Sequence, residues 1–422
     1  MRPIYLNPTG VVGGAEMCLL DLLASLRAER PDWSPHVLLG DDGPLRGNVE
    51  ALGVACEVLE LPRQVAAVGD AALGLIPGGV GSRRLALAAR GPVVAAATAS
   101  YLRRLARRFR ALAPDLVQTN GMKAHVLGAW AAPRGVPLVW HLHDYLGSRA
   151  VMGRLLRWSA RPGVRGVAVS RSVAADAITA LRGRIPVATI HNAVDLDRFH
   201  PGAGDGDWLD ALAGLPPTAS GPIVRVGLVA TYARWKGHEV FLDAVAQLAA
   251  DTPARFYIIG GPIYKSAGSQ HDPAALRARA DELGLGNRLG FIGHQAEPAA
   301  IFRALDVAVH ASTRPEPFGR VIVEAMACGR AVVAAPLGGA AELFRDGVSA
   351  LASAAGDPSG LADVLARLIA DPDLRRRLGS AGRNEAETRF DRARLAGEWS
   401  RIYADICPAA VAGARDREGL TA

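Results

Sequence analysis

Residues 306–347 read DVAVHASTRPEPFGRVIVEAMACGRAVVAAPLGGAAELFRDG. The stretch opens on a short apolar run, Asp306–Ala311. Such a run, with no polar alternation, is what a strand buried on both faces requires. A polar loop follows and holds Glu316, Pro317, Phe318 and Gly319. Helical spacing then resumes over Val321–Cys328, and Gly329 stops it. A second buried strand is expected at Ala331–Ala335, followed by a Gly338–Gly339 turn. Strand, loop, helix and strand, with both strands buried, is the repeating unit of a parallel sheet covered by helices.

The loop has the chemistry of a ligand site. Gly319 lets the backbone approach a ligand closely. The N–H groups over Phe318, Gly319, Arg320 and Val321 open the helix, where amides and dipole favour a phosphate. Glu324 stands just over one turn inside, within reach of ribose hydroxyls. Glu316 precedes the helix and can face the other end of the ligand. Two carboxylates so spaced suit the two ends of a nucleotide sugar.

The same alternation extends outward in both directions. Strands are expected at Pro3–Asn7, His36–Gly40, Leu116–Asn120, Leu138–His143, Val167–Ser170 and Val187–Asn192. Amphipathic segments such as Ala15–Glu29 and Ala99–Leu112 lie between them. Gly, Pro, Asp and Ala then crowd residues 201–222, which read as a linker with room for one short helix, and strands resume at Val224–Ala230, Arg255–Gly260 and Leu289–Gly293. The expected organisation is an N-terminal domain over 1–200 and a C-terminal domain over 223–390. A helix over 391–408 crosses back to the first domain, and a flexible tail covers 409–422. The fold class is α/β: two Rossmann-like, doubly wound parallel-sheet domains facing across a cleft, with ligands at the carboxyl ends of the strands.

Composition narrows the partners. The 422 residues carry a net charge of +7, which suits nucleotide phosphates or an anionic membrane surface. Of 48 basic residues, only Lys123, Lys236 and Lys265 are lysines. Cys18, Cys56, Cys328 and Cys407 have neither metal-ligand nor redox spacing, which fits a reducing, cytoplasmic setting. The N-terminus is too short and polar for a signal peptide. The longest apolar region, Leu85–Leu102, is broken by Arg90, Gly91 and Pro92, short of the ~20 apolar residues of a spanning helix. The chain is expected to be soluble or peripherally attached at the inner membrane face.

The 306–347 stretch resembles the signature of glycosyltransferase family 4, the glycosyl transferases group 1. That signature has two glutamates separated by seven residues, with Phe-Gly after the first and Glu-Ala-Met-Ala-Cys-Gly around the second. Glu316 and Glu324 fall on these glutamates. Gly13-Gly14-Ala15-Glu16 resembles the family's N-terminal glycine loop, whose amides approach the donor phosphates. Leu138–Asp144 (LVWHLHD) resembles the family strand that ends in His-Asp, so His143 is the matching histidine, although His141 shares its facing. In relatives that histidine contacts the donor sugar. Residues 224–239 (VRVGLVATYARWKGHE) resemble the strand-loop carrying Arg and then Lys-Gly. The pattern departs at Thr231, where the family arginine usually stands, and Arg234 is the candidate second charge beside Lys236. Gly261 and His294 end two further strands and border the base and ribose. Asp195-x-Asp197 lies in the Asn192-x-Val-Asp turn and is read as structural, so no catalytic metal is expected.

The resemblance covers most of the chain and implies the GT-B architecture and a retaining, metal-independent, hexosyltransferase-type enzyme. The nucleotide sugar is a co-substrate and no cofactor is implied. UDP-sugars come first and GDP-sugars next, and the acceptor is a glycan, a lipid-linked molecule or a small molecule. Lys236, Arg234 and the amides near Gly319 would meet the leaving diphosphate, while Glu316 binds donor-sugar hydroxyls and steadies an oxocarbenium-like transition state. A nucleotide-sugar epimerase of the same fold and a catalytically silent nucleotide-sugar-binding homologue are the other readings.

The helical segment Tyr101–Arg110 (YLRRLARRFR) has Leu102, Leu105, Phe109 and Leu112 on one side and arginines on the other. Arg149, Arg154, Arg157, Arg161 and Arg165 add charge. Two readings stand: attachment to anionic lipid, or a core-facing stripe with a solvated basic face. No aromatic interleaving or recognition motif points to nucleic acid.

Overall fold

The computed structural model of the protein describes residues 1–66, 80–217, 222–262 and 269–408, with residues 80–90 described by backbone alone. Lys265 and the tail 409–422 lie outside the described residues. The chain divides into two compact units. One comprises residues 1–192 and the chain from Arg392 onward, and the other residues 193–391.

The first unit holds β1 (Pro3–Asn7), β2 (His36–Leu39), β3 (Ala55–Val58), β4 (Leu116–Asn120), β5 (Leu138–Leu142), β6 (Val164–Ala168) and β7 (Val187–Thr189). Their order is β3-β2-β1-β4-β5-β6-β7, all parallel. The second unit holds β8 (Val224–Val229), β9 (Ala254–Ile259), β10 (Leu289–Ile292), β11 (Val307–His310), β12 (Ala331–Ala334) and β13 (Leu351–Ala352), ordered β10-β9-β8-β11-β12-β13 and again parallel. In each sheet the winding reverses beside its first strand, between β1 and β4 and between β8 and β11. A doubly wound sheet offers its ligand crevice there, because the loops leaving the two strands diverge to opposite faces.

Two strands sit elsewhere than their apolar runs imply. The expected strand Val167–Ser170 is Val164–Ala168. Arg165 and Gly166 hide its start, yet Gly166 is needed, since a Cβ there would lie 3.1 Å from Val187 Cγ2 and 3.2 Å from Leu142 Cδ1. Ser170 instead caps the next helix, its Oγ accepting from the Val173 N–H at 3.1 Å. The expected strand Val187–Asn192 ends at Thr189. The short strands β3 and β13 at the sheet edges carry too few apolar residues to announce themselves.

Residues 201–222, linker-like in composition, contain the helix Gly206–Leu212. Leu209 joins an apolar cluster with Tyr257, Ile259 and Ile301. Asp210 is buried and bonds Arg225 at 2.8 Å, Arg255 at 2.7 Å and the Tyr257 hydroxyl. The helix Val80–Leu112 begins well before the expected Ala99 and passes through Pro92. Of the stripe in the Tyr101–Arg110 segment, Leu105 and Phe109 are buried, with Tyr101 beside them, while Leu102 and Leu112 are half-buried. Among the described residues no helix is long and apolar enough to cross a membrane.

The last described helix, Arg394–Ile406, packs on the helix Gly14–Glu29 within the first unit. Ser25 Oγ donates to the Ala393 carbonyl at 3.1 Å and accepts from the Ala396 N–H at 2.9 Å. Trp399 and Tyr403 are fully buried, and the Tyr403 hydroxyl donates to Gln118 of β4. Trp399→Ala is expected to cost about 3–5 kcal/mol, the range for emptying a buried aromatic site. Denaturation followed by circular dichroism measures it, and a loss below about 1 kcal/mol would mean that the helix is dispensable to the unit.

Candidate active site

The second unit concentrates its chemistry at the β8/β11 reversal. The loop after β8 closes as a 3₁₀ turn, Arg234–Lys236, ending at Gly237 with φ 79°. A Cβ at Gly237 would collide with the Ala311 carbonyl, so glycine lets the two loops touch. The Thr313 N–H donates to the Trp235 carbonyl at 2.8 Å and ties them together. The loop after β12 joins on the other side, where the Gly339 N–H donates to the Glu316 carbonyl at 2.7 Å.

These backbone contacts place Lys236 Nζ 2.7 Å from Glu316 Oε2. His310 Nε2 lies 3.2 Å from the same oxygen and Ser312 Oγ 3.1 Å from it. An ionised carboxylate only accepts, so His310 carries its proton on Nε2. Burial pushes the Glu316 carboxyl up, but the Lys236 ammonium and the His310 hydrogen bond outweigh it and hold it at about 2. Lys236 Nζ also stands 4.2 Å over the Trp235 ring.

The helix Arg320–Ala327 starts at Gly319, which has φ 103° and no side chain to cap it. Phe318 is buried edge-on against Phe390, 6.0 Å between centroids, and anchors the loop from below. Glu324 Oε1 accepts from Arg320 Nε at 3.2 Å, and Arg320 Nη1 reaches the Ala193 carbonyl at 3.2 Å. Both side chains thus have protein partners, and Val321 is half-buried on the first turn. Along the same carboxyl edge, Gly261 follows β9 and His294 follows β10. A Cβ on Gly261 would sit 3.9 Å from the His294 N–H nitrogen. His294 and Arg234 are exposed. The Arg234 N–H donates to the Ser269 carbonyl at 3.0 Å.

In the first unit Gly13 and Gly14 open the helix after β1. The Glu16 carboxylate accepts from the Gly13 N–H at 3.1 Å, so one amide of that loop already has a partner. Gly14 has open space around it. The two strand-end histidines separate. His141 is buried, 4.8 Å from the Trp399 ring, and burial keeps it neutral. His143, 3.9 Å from His141, lines a cavity of about 300 Å³ with Pro8, Lys123, Asp144, Arg149 and Met152. Asp195 accepts from the Asp197 and Arg198 N–H groups at 3.1 and 3.3 Å and so closes its own turn.

Lys236 and Glu316 are therefore in contact, with Gly319, Arg320, Val321 and Glu324 on the helix that follows. Gly13, Gly14 and His143 belong to the first unit. Sequence reading missed His310, Ser312 and Trp235. Their signal was a His-x-Ser pair at the carboxyl end of an apolar strand, and an aromatic residue beside a rare lysine.

Comparison with known proteins agrees in both units. Residues 12–198 match the model of Glycosyltransferase Family 4, and residues 224–385 that of Glycosyl transferases group 1. Two proteins of Catenulispora acidiphila named D-inositol 3-phosphate glycosyltransferase, 1 and 2, are 35% and 33% identical over 61% and 68% of this chain. The chain spans 64% and 70% of their lengths, and about half of another relative of the same name. Among solved structures, Anabaena Alr3699/HepE in complex with UDP and glucose is 27% identical, with a TM-score of 0.76 over 96% of this chain and 99% of that one. The two units have the GT-B architecture.

Lys236→Met is expected to destabilise the second unit by about 3–5 kcal/mol at neutral pH, because it strands a buried carboxylate. Glu316→Gln in the same chain should restore most of that loss, and additive losses in the double-mutant cycle would refute the coupling. The pair's stabilisation is complete above the ordinary carboxyl value of 4.5 and should be lost as pH falls towards about 2. Denaturation midpoints across that interval test the sign.

Proposed function

The chain belongs to glycosyltransferase family 4, and on that premise we propose that it transfers a sugar, with retention, from a nucleotide sugar to an acceptor. A UDP-sugar is the favoured donor and a GDP-sugar the next. The observation that carries the proposal is the Lys236–Glu316 pair at the sheet reversal, directly before an uncapped helix start at Gly319. A diphosphate fits the cation and the helix amides, and Glu316 fits the hydroxyls of the attached sugar. The solved complexes of Alr3699/HepE with UDP, and with UDP-glucose, support uridine as the base.

In this reaction the bond between the anomeric carbon and the diphosphate oxygen breaks, and the acceptor oxygen adds on the same face. The acceptor proton passes to the departing phosphate oxygen. Lys236, with Arg234, offsets the charge that develops on the diphosphate. Glu316, held at about 2, is a weak base and a weak nucleophile, which supports an electrostatic role rather than a covalent one. No metal or cofactor takes part. The acceptor occupies the first unit's cavity beside His143.

Thermal unfolding with UDP, GDP, ADP and their common sugars, without added metal, tests the donor. UDP is expected to raise the midpoint selectively, since a ligand bound only to the folded state stabilises it. A selective response to GDP or ADP would overturn the base assignment. Glu316→Gln should keep the UDP response and lower kcat by about 100-fold or more, as for loss of a transition-state contact. Unchanged turnover would remove Glu316 from the site.

A further inference from the structure

The helices Met122–Ala131 and Ala150–Ser159 pack side by side in the first unit. Near their carboxyl ends they present Trp130 and Trp158, 40% and 73% exposed and edge-to-face at 5.5 Å. Indoles that could be buried but are displayed as a pair mark an interaction surface. Arginines accompany them. From residue 116 to 175 the only carboxylate is Asp144, against Lys123, Arg134, Arg149, Arg154, Arg157, Arg161, Arg165 and Arg171. Asp144 pairs with Arg149. Among the described residues none of Arg134, Arg154, Arg157 and Arg161 forms an ion pair.

Helix dipoles attract cations to carboxyl ends, but they do not account for Arg161. Its Nε and Nη2 are buried and bond nothing among the described residues. Burial and the nearby Arg134 both push its pKa down. Among the described residues no carboxylate pairs with Arg134, Arg154, Arg157 or Arg161, and two displayed indoles stand beside them.

We propose that this patch docks on the phosphate layer of an anionic phospholipid bilayer, with the exposed Arg134 and Arg154 taking phosphate oxygens and Trp130 and Trp158 seated at the interface. Guanidinium forks match phosphate oxygens, and tryptophan favours the boundary between headgroups and acyl chains. The position agrees. Each helix spans about 15 Å at 1.5 Å per residue. Met122, Lys123 and Met152, at the helix starts, line the cavity, and the indoles stand near the other ends. Docking here leaves the cavity unoccupied. Among the described residues the basic face of Tyr101–Arg110 displays no aromatic pair of this kind, since its Tyr101 and Phe109 are buried.

Flotation of the full chain with vesicles of phosphatidylcholine and phosphatidylglycerol, against phosphatidylcholine alone, tests this. The protein should bind the anionic vesicles, less so as salt rises. The double charge reversal R134E/R154E should lower the partition constant at least about 25-fold, since each surface cation contributes about fivefold. Trp158→Ser should weaken binding and reduce the blue shift of indole fluorescence. R103E/R107E, on the other basic face, should bind as the wild type does. Circular dichroism confirms folding of each variant. Wild-type partition of R134E/R154E, or absence of binding to anionic vesicles at low salt, would overturn the proposal. So would a dimer that Trp158→Ser splits in sedimentation velocity, which would assign the patch to a second copy of the chain.

Discussion

Glu316 sits where a carboxylate could not ordinarily stay charged, and Lys236 keeps it so. The pair joins residues 80 apart in sequence, on loops that leave two adjacent strands in opposite directions. Its formation depends on small residues: Gly237, which admits the Ala311 carbonyl, and Gly338–Gly339, which bring the loop after β12 against Glu316. Desolvation opposes the pair's attraction, so its net contribution to stability is modest. Its consequence is positional. His310, Ser312 and Lys236 converge on a single oxygen, and the carboxylate has little freedom to turn.

In the proposed reaction this arrangement places one cation between two anions. A diphosphate arriving at Lys236 competes with Glu316 for the same ammonium. The amides at Gly319 and the exposed Arg234 then carry more of the added charge than a count of lysines suggests. The departure from the family pattern at Thr231 has a physical counterpart. Arg234 belongs to the same turn as Lys236, so the second charge need not come from five residues upstream.

Much of this was legible in the sequence because buried parallel strands are apolar throughout and their loops are not. Glu316, Gly319 and Glu324 could be placed relative to one another from spacing alone. Their partners could not. That Glu324 meets Arg320 follows from i,i+4 geometry on the helix. That Glu316 meets Lys236 required knowing that β8 and β11 are neighbours. His141 and His143 share a strand face, and only the packing of Trp399 onto His141 distinguished them. Gly166 and Arg165 concealed half a strand, because crowding by a neighbour demands glycine for reasons no local pattern records. Residues 201–222 read as a linker because Leu209 and Asp210, which fasten the helix there, are two residues in a field of Gly and Pro.

Arginine illustrates the same limit from another side. A composition rich in arginine does not say which charges are spent. Arg225 and Arg255 hold the buried Asp210, Arg320 holds Glu324, and Arg345 with Arg389 holds Glu385. These cations are fastenings, compensated where they stand. Around Trp130 and Trp158 Arg134, Arg154, Arg157 and Arg161 meet no carboxylate among the described residues, and the Arg161 guanidinium is partly buried. Net charge sums the two kinds and cannot separate them. Only the uncompensated kind projects a field that a partner can feel, since a paired charge is screened by its own counter-ion within a few ångströms. The +7 of the chain is therefore best understood by where its neutralisation fails, and one such place is the acid-poor surface between β4 and the helix that follows β6.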